Sequence, residues 1–302
     1  MTTATATVPR APAESRGHAV STFLHHHVWV RLAALLSLPM LWLVVAYLGS
    51  LAAMLVAAFW TTNAFTGAVV HQTTLDNFHE LVTQSVYRKV ALRSLGVAAG
   101  VTVIDALIAL PMAFYMAKVA SRRARQLLVV AILTPLWASY LVKAYAWRVM
   151  LANGGLVSWL LHPLGVKGPG YSLGAVIITL SYLWLPFMLL PIFAGLERLP
   201  DSLLEASADQ GARAWRTFRA IVLPLLFPAI VAGSIFTFSL SLGDYITVTV
   251  VGGTTQLAAN VIYDNITTGG NLPFAAAAAF FPIIAMLAYL LAVRRTGALD
   301  NV

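Results

Sequence analysis

The stretch Leu199-Pro200-Asp201-Ser202-Leu203-Leu204-Glu205-Ala206-Ser207-Ala208-Asp209-Gln210-Gly211-Ala212-Arg213-Ala214-Trp215-Arg216-Thr217-Phe218-Arg219-Ala220-Ile221-Val222-Leu223-Pro224 decides how this chain is read. Ser202 and Glu205 have the spacing of a capping box, in which a hydroxyl and a carboxylate satisfy free backbone N–H groups, so a helix is predicted to start here. Gly211 can take the left-handed conformation that ends it. A second helix follows, with Trp215, Phe218 and Val222 on one face, and is expected to stop before Pro224. Two short helices hinged at a glycine therefore lie between long apolar runs. On this evidence alone the segment is also compatible with a well-capped connector, Glu205 being the cap and Gly211 the turn.

Those apolar runs set the class of the molecule. Of 302 residues, 60% are hydrophobic and 10% charged, against about 25% charged in an ordinary globular domain. Too few polar side chains remain to coat a soluble fold of this size. A soluble enzyme, a disordered regulator and a nucleic-acid-binding domain are excluded. The net charge of +8 fits cytoplasmic loops of a membrane protein rather than a nucleic-acid footprint. Cysteine is absent, which removes disulfides, thiol nucleophiles and Cys-ligated metals. A hydrocarbon core of about 30 Å needs roughly 20 apolar helical residues, and six stretches qualify: 32–59, 91–117, 127–149, 173–195, 225–250 and 274–293. Each contains or begins near a proline: Pro39, Pro111, Pro135, Pro186 with Pro191, Pro228 and Pro282. The expected fold is an all-α, polytopic membrane protein with six transmembrane helices.

Lys and Arg set its orientation. Segments 1–31, 118–126, 196–224 and 294–302 hold 13 of the 19 basic residues, so both termini are expected in the cytoplasm. Arg88 and Lys89, on the outer side, oppose the trend. Residues 1–22, rich in Thr, Ala and Pro, read as a disordered tail ahead of a membrane domain at 23–302. In the outer stretch 60–90, apolar Leu75, Phe78, Leu81 and Val82 fall on one helical face behind a Thr74 cap. A short helix on the outer surface is expected there, for packing or for docking an external partner. The run His25-His26-His27 has no nearby carboxylate cluster and reads as a solvated or headgroup-facing flank rather than a metal site.

Returning to the opening stretch, Glu205-Ala206-Ser207, then Gly211, then Ile221 and Leu223-Pro224 resemble the EAA loop (EAA-x3-G-x9-I-x-LP) of the membrane subunits of binding-protein-dependent, type I ABC importers. Ser207 stands where that family often has Ala. Further matches cover roughly residues 70–290 and are similar to spermidine/putrescine permease subunits. They include Leu110-Pro111-Met112-Ala113-Phe114-Tyr115-Met116-Ala117 and Ala144-Tyr145-Ala146-Trp147 with Lys143 in place of Arg. Pro186-Phe187 with Leu190-Pro191, and Leu242-Gly243-Asp244-Tyr245 with Asp for Glu and Tyr for Phe, complete the series. The resemblance implies a non-catalytic permease subunit of the bacterial inner membrane. It implies that segment 196–224 couples to a separate ATPase through Glu205, Ala206, Ser207, Gly211, Ile221, Leu223 and Pro224. It also implies as partners two ATPase subunits that bind ATP and Mg, a second, related permease, and an extracytoplasmic binding protein. The chain itself needs no cofactor, and it has no G-x-x-x-x-G-K-[ST] to hold ATP.

An acidic residue at membrane depth costs about 2.5–3.5 kcal/mol on insertion scales and usually faces the bundle interior. Asp105 and Asp244 are two such residues. They either line the path and offset charge on a cationic substrate, or pair internally with Lys143 or Arg148. Tyr140, Trp184 and Tyr245 are aromatic candidates for the same path, since aromatic faces attract ammonium groups. Acidic and aromatic lining suits a polyamine. Ferric ion, thiamine, a phosphonate or another small solute are alternative cargoes of the same machine. An ion-coupled carrier is the alternative of another class, although no inverted repeat is visible.

Overall fold

The computed structural model describes residues 28–63 and 65–295. The tail at 1–22 and the His25-His26-His27 run lie outside the described residues. The chain divides into two units, Met1–Val56 and Ala57–Val302. The first carries α1 (Val28–Trp42), a π-helical turn (Leu43–Leu48) and the start of α2 (Gly49–Ala57). Pro39 has no N–H to give the helix ladder. A few residues on, the ladder widens, and the Gly49 N–H bonds to the carbonyl five residues back, that of Val44.

The second unit opens with a two-stranded hairpin, β1 (Thr61–Thr62) and β2 (Val69–Val70), paired antiparallel. The short helix expected over this stretch follows as α3 (Asp76–Thr83); its N-cap is Leu75 rather than Thr74, although Thr74 Oγ1 accepts the Asp76 N–H at 3.1 Å. Phe78 on α3 packs against Phe59 and Phe280, each at 5.2 Å between ring centroids. Next come α4 (Ser85–Phe114) with a π turn (Tyr115–Val119), α5 (Arg122–Trp137), α6 (Tyr140–Leu151) and α7 (Leu156–Leu161). The chain continues through α8 (Leu173–Arg198), α9 (Asp201–Asp209), α10 (Ala214–Thr217), a further π turn (Phe218–Val222) and α11 (Leu223–Leu242). It closes with α12 (Ile246–Val251), α13 (Ala258–Thr267) and α14 (Leu272–Arg294).

Among the described residues, five helices are long and apolar enough to cross a membrane, and a bent pair makes a sixth if counted as one span. The centre of the second unit is the packing of α4, α8 and α11 on one another. Lipid tails are as apolar as Leu, so helices associate here by close contact of small residues rather than by hydrophobic expulsion. Gly233 on α11 is such a contact: a Cβ there would lie 2.8 Å from the Met188 sulfur and 3.0 Å from its Cα. One apolar cluster gathers Ala109, Ala113, Met188, Ile192, Leu196 and Leu226 toward one end of this trio. Another gathers Val97, Val101, Ala175, Val176, Leu180 and Val251 toward the other.

Two stretches expected as simple spans are broken. The third, 127–149, is two helices, Arg122–Trp137 and Tyr140–Leu164, meeting at 99°. Ala138 and Ser139 are extended at the junction, three and four residues after Pro135, and the Ala138 N–H bonds to Pro135 O. The fifth, 225–250, begins earlier and stops sooner. Its helix runs continuously over Ala214–Leu242, and Gly243-Asp244-Tyr245 interrupts it before α12. The helix also does not stop before Pro224. The π turn at Phe218–Val222, with the Leu223 N–H bonding to Phe218 O, carries the ladder past the proline.

Candidate functional site

Two regions concentrate the residues singled out from sequence. The first is the helix–turn–helix between α8 and α11. Pro200, extended, precedes α9, which begins at Asp201. Ser202 is therefore already inside the helix, and the expected capping box does not form. The Glu205 side chain makes no hydrogen bond or ion pair among the described residues and is exposed, as is Ala206. The expectation at Gly211 is met, with φ at +76°. Its N–H bonds to Ala208 O at 2.8 Å and the Ala212 N–H bonds to Ser207 O at 3.1 Å, the paired bonds of a Schellman motif. A β-carbon at that φ would be strained.

Ser207 is the buried member of the motif, and its Oγ lies 2.8 Å from Thr217 Oγ1. The Ser in place of Ala thus ties the two legs together, a bond that alanine cannot make. Val222 is buried, Ile221 and Leu223 are half-buried and Pro224 is exposed. Trp215 is exposed and stacks on Phe218 at 5.7 Å.

Two cations at the end of α4 and the start of α5 anchor this element, and the sequence reading missed both. Lys118 Nζ donates to Leu199 O at 2.6 Å and to Asp201 Oδ1 at 2.7 Å. Arg125 bonds Met116 O, Ala117 O and Glu197 Oε1 at 3.1, 2.7 and 3.1 Å. Lys118–Asp201 and Arg125–Glu197 are the two ion pairs found among the described residues. Both brace the junction between α8 and α9. The signal available in sequence was the Lys/Arg count, which reported topology and not pairing.

The second region is the interrupted end of α11. Asp244 is buried, and its partners are neither Lys143 nor Arg148. Asp244 Oδ1 accepts the Thr247 N–H at 2.8 Å and Oδ2 accepts Thr247 Oγ1 at 3.1 Å, the bonding of a helix cap three residues ahead. The Tyr140 hydroxyl donates to Oδ2 and lies 2.5 Å from Thr247 Oγ1. Tyr140 stacks on Trp184 at 5.9 Å between centroids. The break at Ala138–Ser139 makes this possible, since it places Tyr140 at the head of α6. Tyr245 faces Tyr263 at 4.3 Å, and its carbonyl accepts the Asn260 Nδ2–H at 3.1 Å. Arg148 instead bonds Val250 O at 2.6 Å and lies over the Tyr171 ring.

Asp105 stands apart from this network. It is fully buried, with the Ser181 hydroxyl beside it. Among the described residues neither carboxylate oxygen, nor Ser181 Oγ, nor Trp184 Nε1, has a partner in hydrogen-bonding geometry. The structure therefore joins Tyr140, Trp184 and Asp244, sets Tyr245 next to them, and leaves Asp105 separate. No group of three metal-ligating side chains occurs among the described residues.

A bundle of apolar spans thus carries a glycine-capped helix–turn–helix between two of them. Residues 109–296 match the family model described as "Binding-protein-dependent transport system inner membrane component". The chain is 43% identical over 297 residues to the inner membrane ABC transporter permease protein YdcU of Escherichia coli K12, covering 93% of this chain and 94% of that one. It is 33% identical over 233 residues to the spermidine/putrescine transport system permease protein PotB of the same organism, covering 76% and 84% respectively. In fold it is similar to a bacterial ABC transporter involved in the import of the acidic polysaccharide alginate, with a TM-score of 0.73 at 16% identity over 92% of this chain and 98% of that one. The chain belongs to the binding-protein-dependent permease family. It is a multi-pass subunit of a type I ABC importer in the bacterial inner membrane, non-catalytic itself, with ATP hydrolysis on a separate subunit.

Proposed function

We propose that this chain forms part of the substrate path of a polyamine importer, carrying spermidine, putrescine or a close relative by alternating access. The observation that carries the cargo is the Asp244–Tyr140–Trp184 cluster: a buried carboxylate with aromatic faces next to it suits an extended polyammonium chain. The likeness to a spermidine/putrescine permease supports the same reading. Tyr245 and Asp105 belong to the same path in this proposal, Asp105 with carboxylate oxygens free to receive a donor.

The proposed assembly has two permeases, this one paired with a related chain, two ATPases that bind ATP and Mg, and an extracytoplasmic binding protein. The termini and segment 196–224 face the cytoplasm. ATP-driven closure of the ATPases moves α9 and α10 of each permease together, which opens the path outward. The binding protein then delivers cargo, and hydrolysis resets the inward-facing state. Glu205 and Ala206 give the ATPase an exposed, small-featured face. Gly211 sets the angle between the legs, and Ser207 holds them. Ile221, Leu223 and Pro224 pass the movement into α11.

The test is uptake of labelled spermidine and putrescine, at low external concentration, in a host without its other polyamine importers. Deletion of this chain should abolish uptake, and wild type but not Asp244→Asn should restore it. Uptake that is equal with and without the chain would remove the polyamine cargo and return Asp244 to its capping role.

A further inference from the structure

Arg88 and Lys89 run against the positive-inside count, and neither the coupling loop nor the Asp244 cluster uses them. They sit in the first turns of a helix that runs unbroken over Ser85–Val119, 35 residues. At 1.5 Å per residue it is longer than the hydrocarbon core of about 30 Å, and the two exposed cations in its first turns suit this end to headgroup level. Both residues are exposed and make no ion pair among the described residues. Arg88 lines the mouth of a cavity of about 340 Å³ enclosed by α3, α4, α13 and α14. Below it the walls are apolar, including Leu81, Ala91, Val261, Phe281 and Ile284.

This arrangement has one chemical reading. The cavity begins beside the headgroup-level turn of α4 and descends along α14 as far as Ile284, twelve residues past the first residue of that helix, Leu272. Val82 and Ile284 at its rim are exposed, so the opening faces the surroundings of the chain. Water gains little in an apolar cavity with few partners, whereas a hydrocarbon tail restores the dispersion contacts its lining lacks. An unpaired guanidinium at headgroup depth matches a phosphate in charge and donor geometry, and Lys89 adds to the same field. Of the elements around the cavity, α3 carries the acidic residues Asp76 and Glu80 and α13 carries Asp264; Glu80 acts on Tyr87 and Asp264 lies near Gln256.

We propose that the cavity between α3, α4, α13 and α14 holds one acyl chain of a membrane phospholipid whose phosphate is bound by Arg88. The site would wedge a lipid against the outer-surface helix and so fix α3 on α14. The experiment is native mass spectrometry of the full chain, purified with the subunits that accompany it, from nanodiscs of phosphatidylethanolamine and phosphatidylglycerol. One phospholipid per copy should survive detergent washing. Arg88→Glu, which reverses the charge, and Ala91→Phe, which fills the cavity from a half-buried position, should each lower its occupancy by about fivefold or more. A photoreactive group on Val82→Cys should label lipid. Equal retention in all three proteins overturns the site. So does loss with Arg88→Glu but not with Ala91→Phe, which would reduce it to surface charge. Labelling of a protein subunit instead of lipid at Val82→Cys also overturns it.

Discussion

The two ends of the α8–α11 pair are held by different means. Where α8 passes into α9, long cationic side chains do the holding: Lys118 grips Leu199 O and Asp201, and Arg125 pairs with Glu197 while gripping carbonyls at the end of α4. Gly211 then closes a Schellman motif between α9 and α10, and Glu205 and Ala206 are exposed. Where α11 stops at Leu242, side chains do it, with Asp244, Thr247 and Tyr140 bonded to one another inside the bundle. The first end leaves a bare, exposed face. The second is a buried polar knot, and the proposed cationic cargo would exchange these bonds for its own to the carboxylate.

Gly211→Pro should break the first end most severely. Proline is fixed near −65° where +76° is required, and it deletes the N–H that bonds Ala208 O. Uptake should fall to background while an immunoblot finds the chain in the membrane at normal level. Glu205→Lys should give the same result by charge alone, without disturbing the fold. Normal uptake with both would remove the coupling role from this element.

Asp244 separates cap from path. Asp244→Ala loses the cap and the Tyr140 partner, and should lower stability by about 1–3 kcal/mol, read as the thermal melting shift of the purified complex. Asp244→Asn can still accept the Thr247 N–H and should melt close to wild type, yet lose uptake. Equal loss of stability in both variants would make Asp244 structural only.

Lys118→Met should loosen the α8–α9 junction. Hydrogen bonds from a charged donor are worth about 1.5–3 kcal/mol, so amide exchange over residues 199–210 should quicken by about tenfold or more. An unchanged exchange rate would show that Gly211 suffices. Asp105→Asn should have the smallest effect on stability, within about 1 kcal/mol, because among the described residues its carboxylate has no partner in hydrogen-bonding geometry and Asn can still face Ser181. A larger drop in melting temperature would reveal a partner for Asp105 elsewhere in the assembly.

The spans and the glycine hinge were legible because each rests on a property of single residues: apolar run length, and the freedom of glycine at positive φ. The spacing from Glu205 to Pro224 led to the family for the same reason, being fixed along one short segment. What sequence could not supply is which groups meet across the bundle. Lys143 and Arg148 were natural partners for an acid by charge, yet Tyr140 and Thr247 took Asp244. That choice depends on the break at Ala138–Ser139, which a hydropathy window averages away. The capping box failed by two residues, because Pro200 takes the N-cap position expected of Ser202. Pro224 is expected to end a helix, but the π turn at Phe218–Val222 before it lets the helix continue.

The central claim is that α9 presents its exposed face to a separate ATPase. The chain has no cysteine, so in purified Ala206→Cys protein a photoreactive maleimide marks this chain at one position before it is reconstituted with its partner subunits in membranes. It should cross-link to the ATPase subunit, with a yield that changes when ATP is trapped before hydrolysis. A probe at Ala206 that labels only lipid or this chain itself, with or without ATP, would contradict the account.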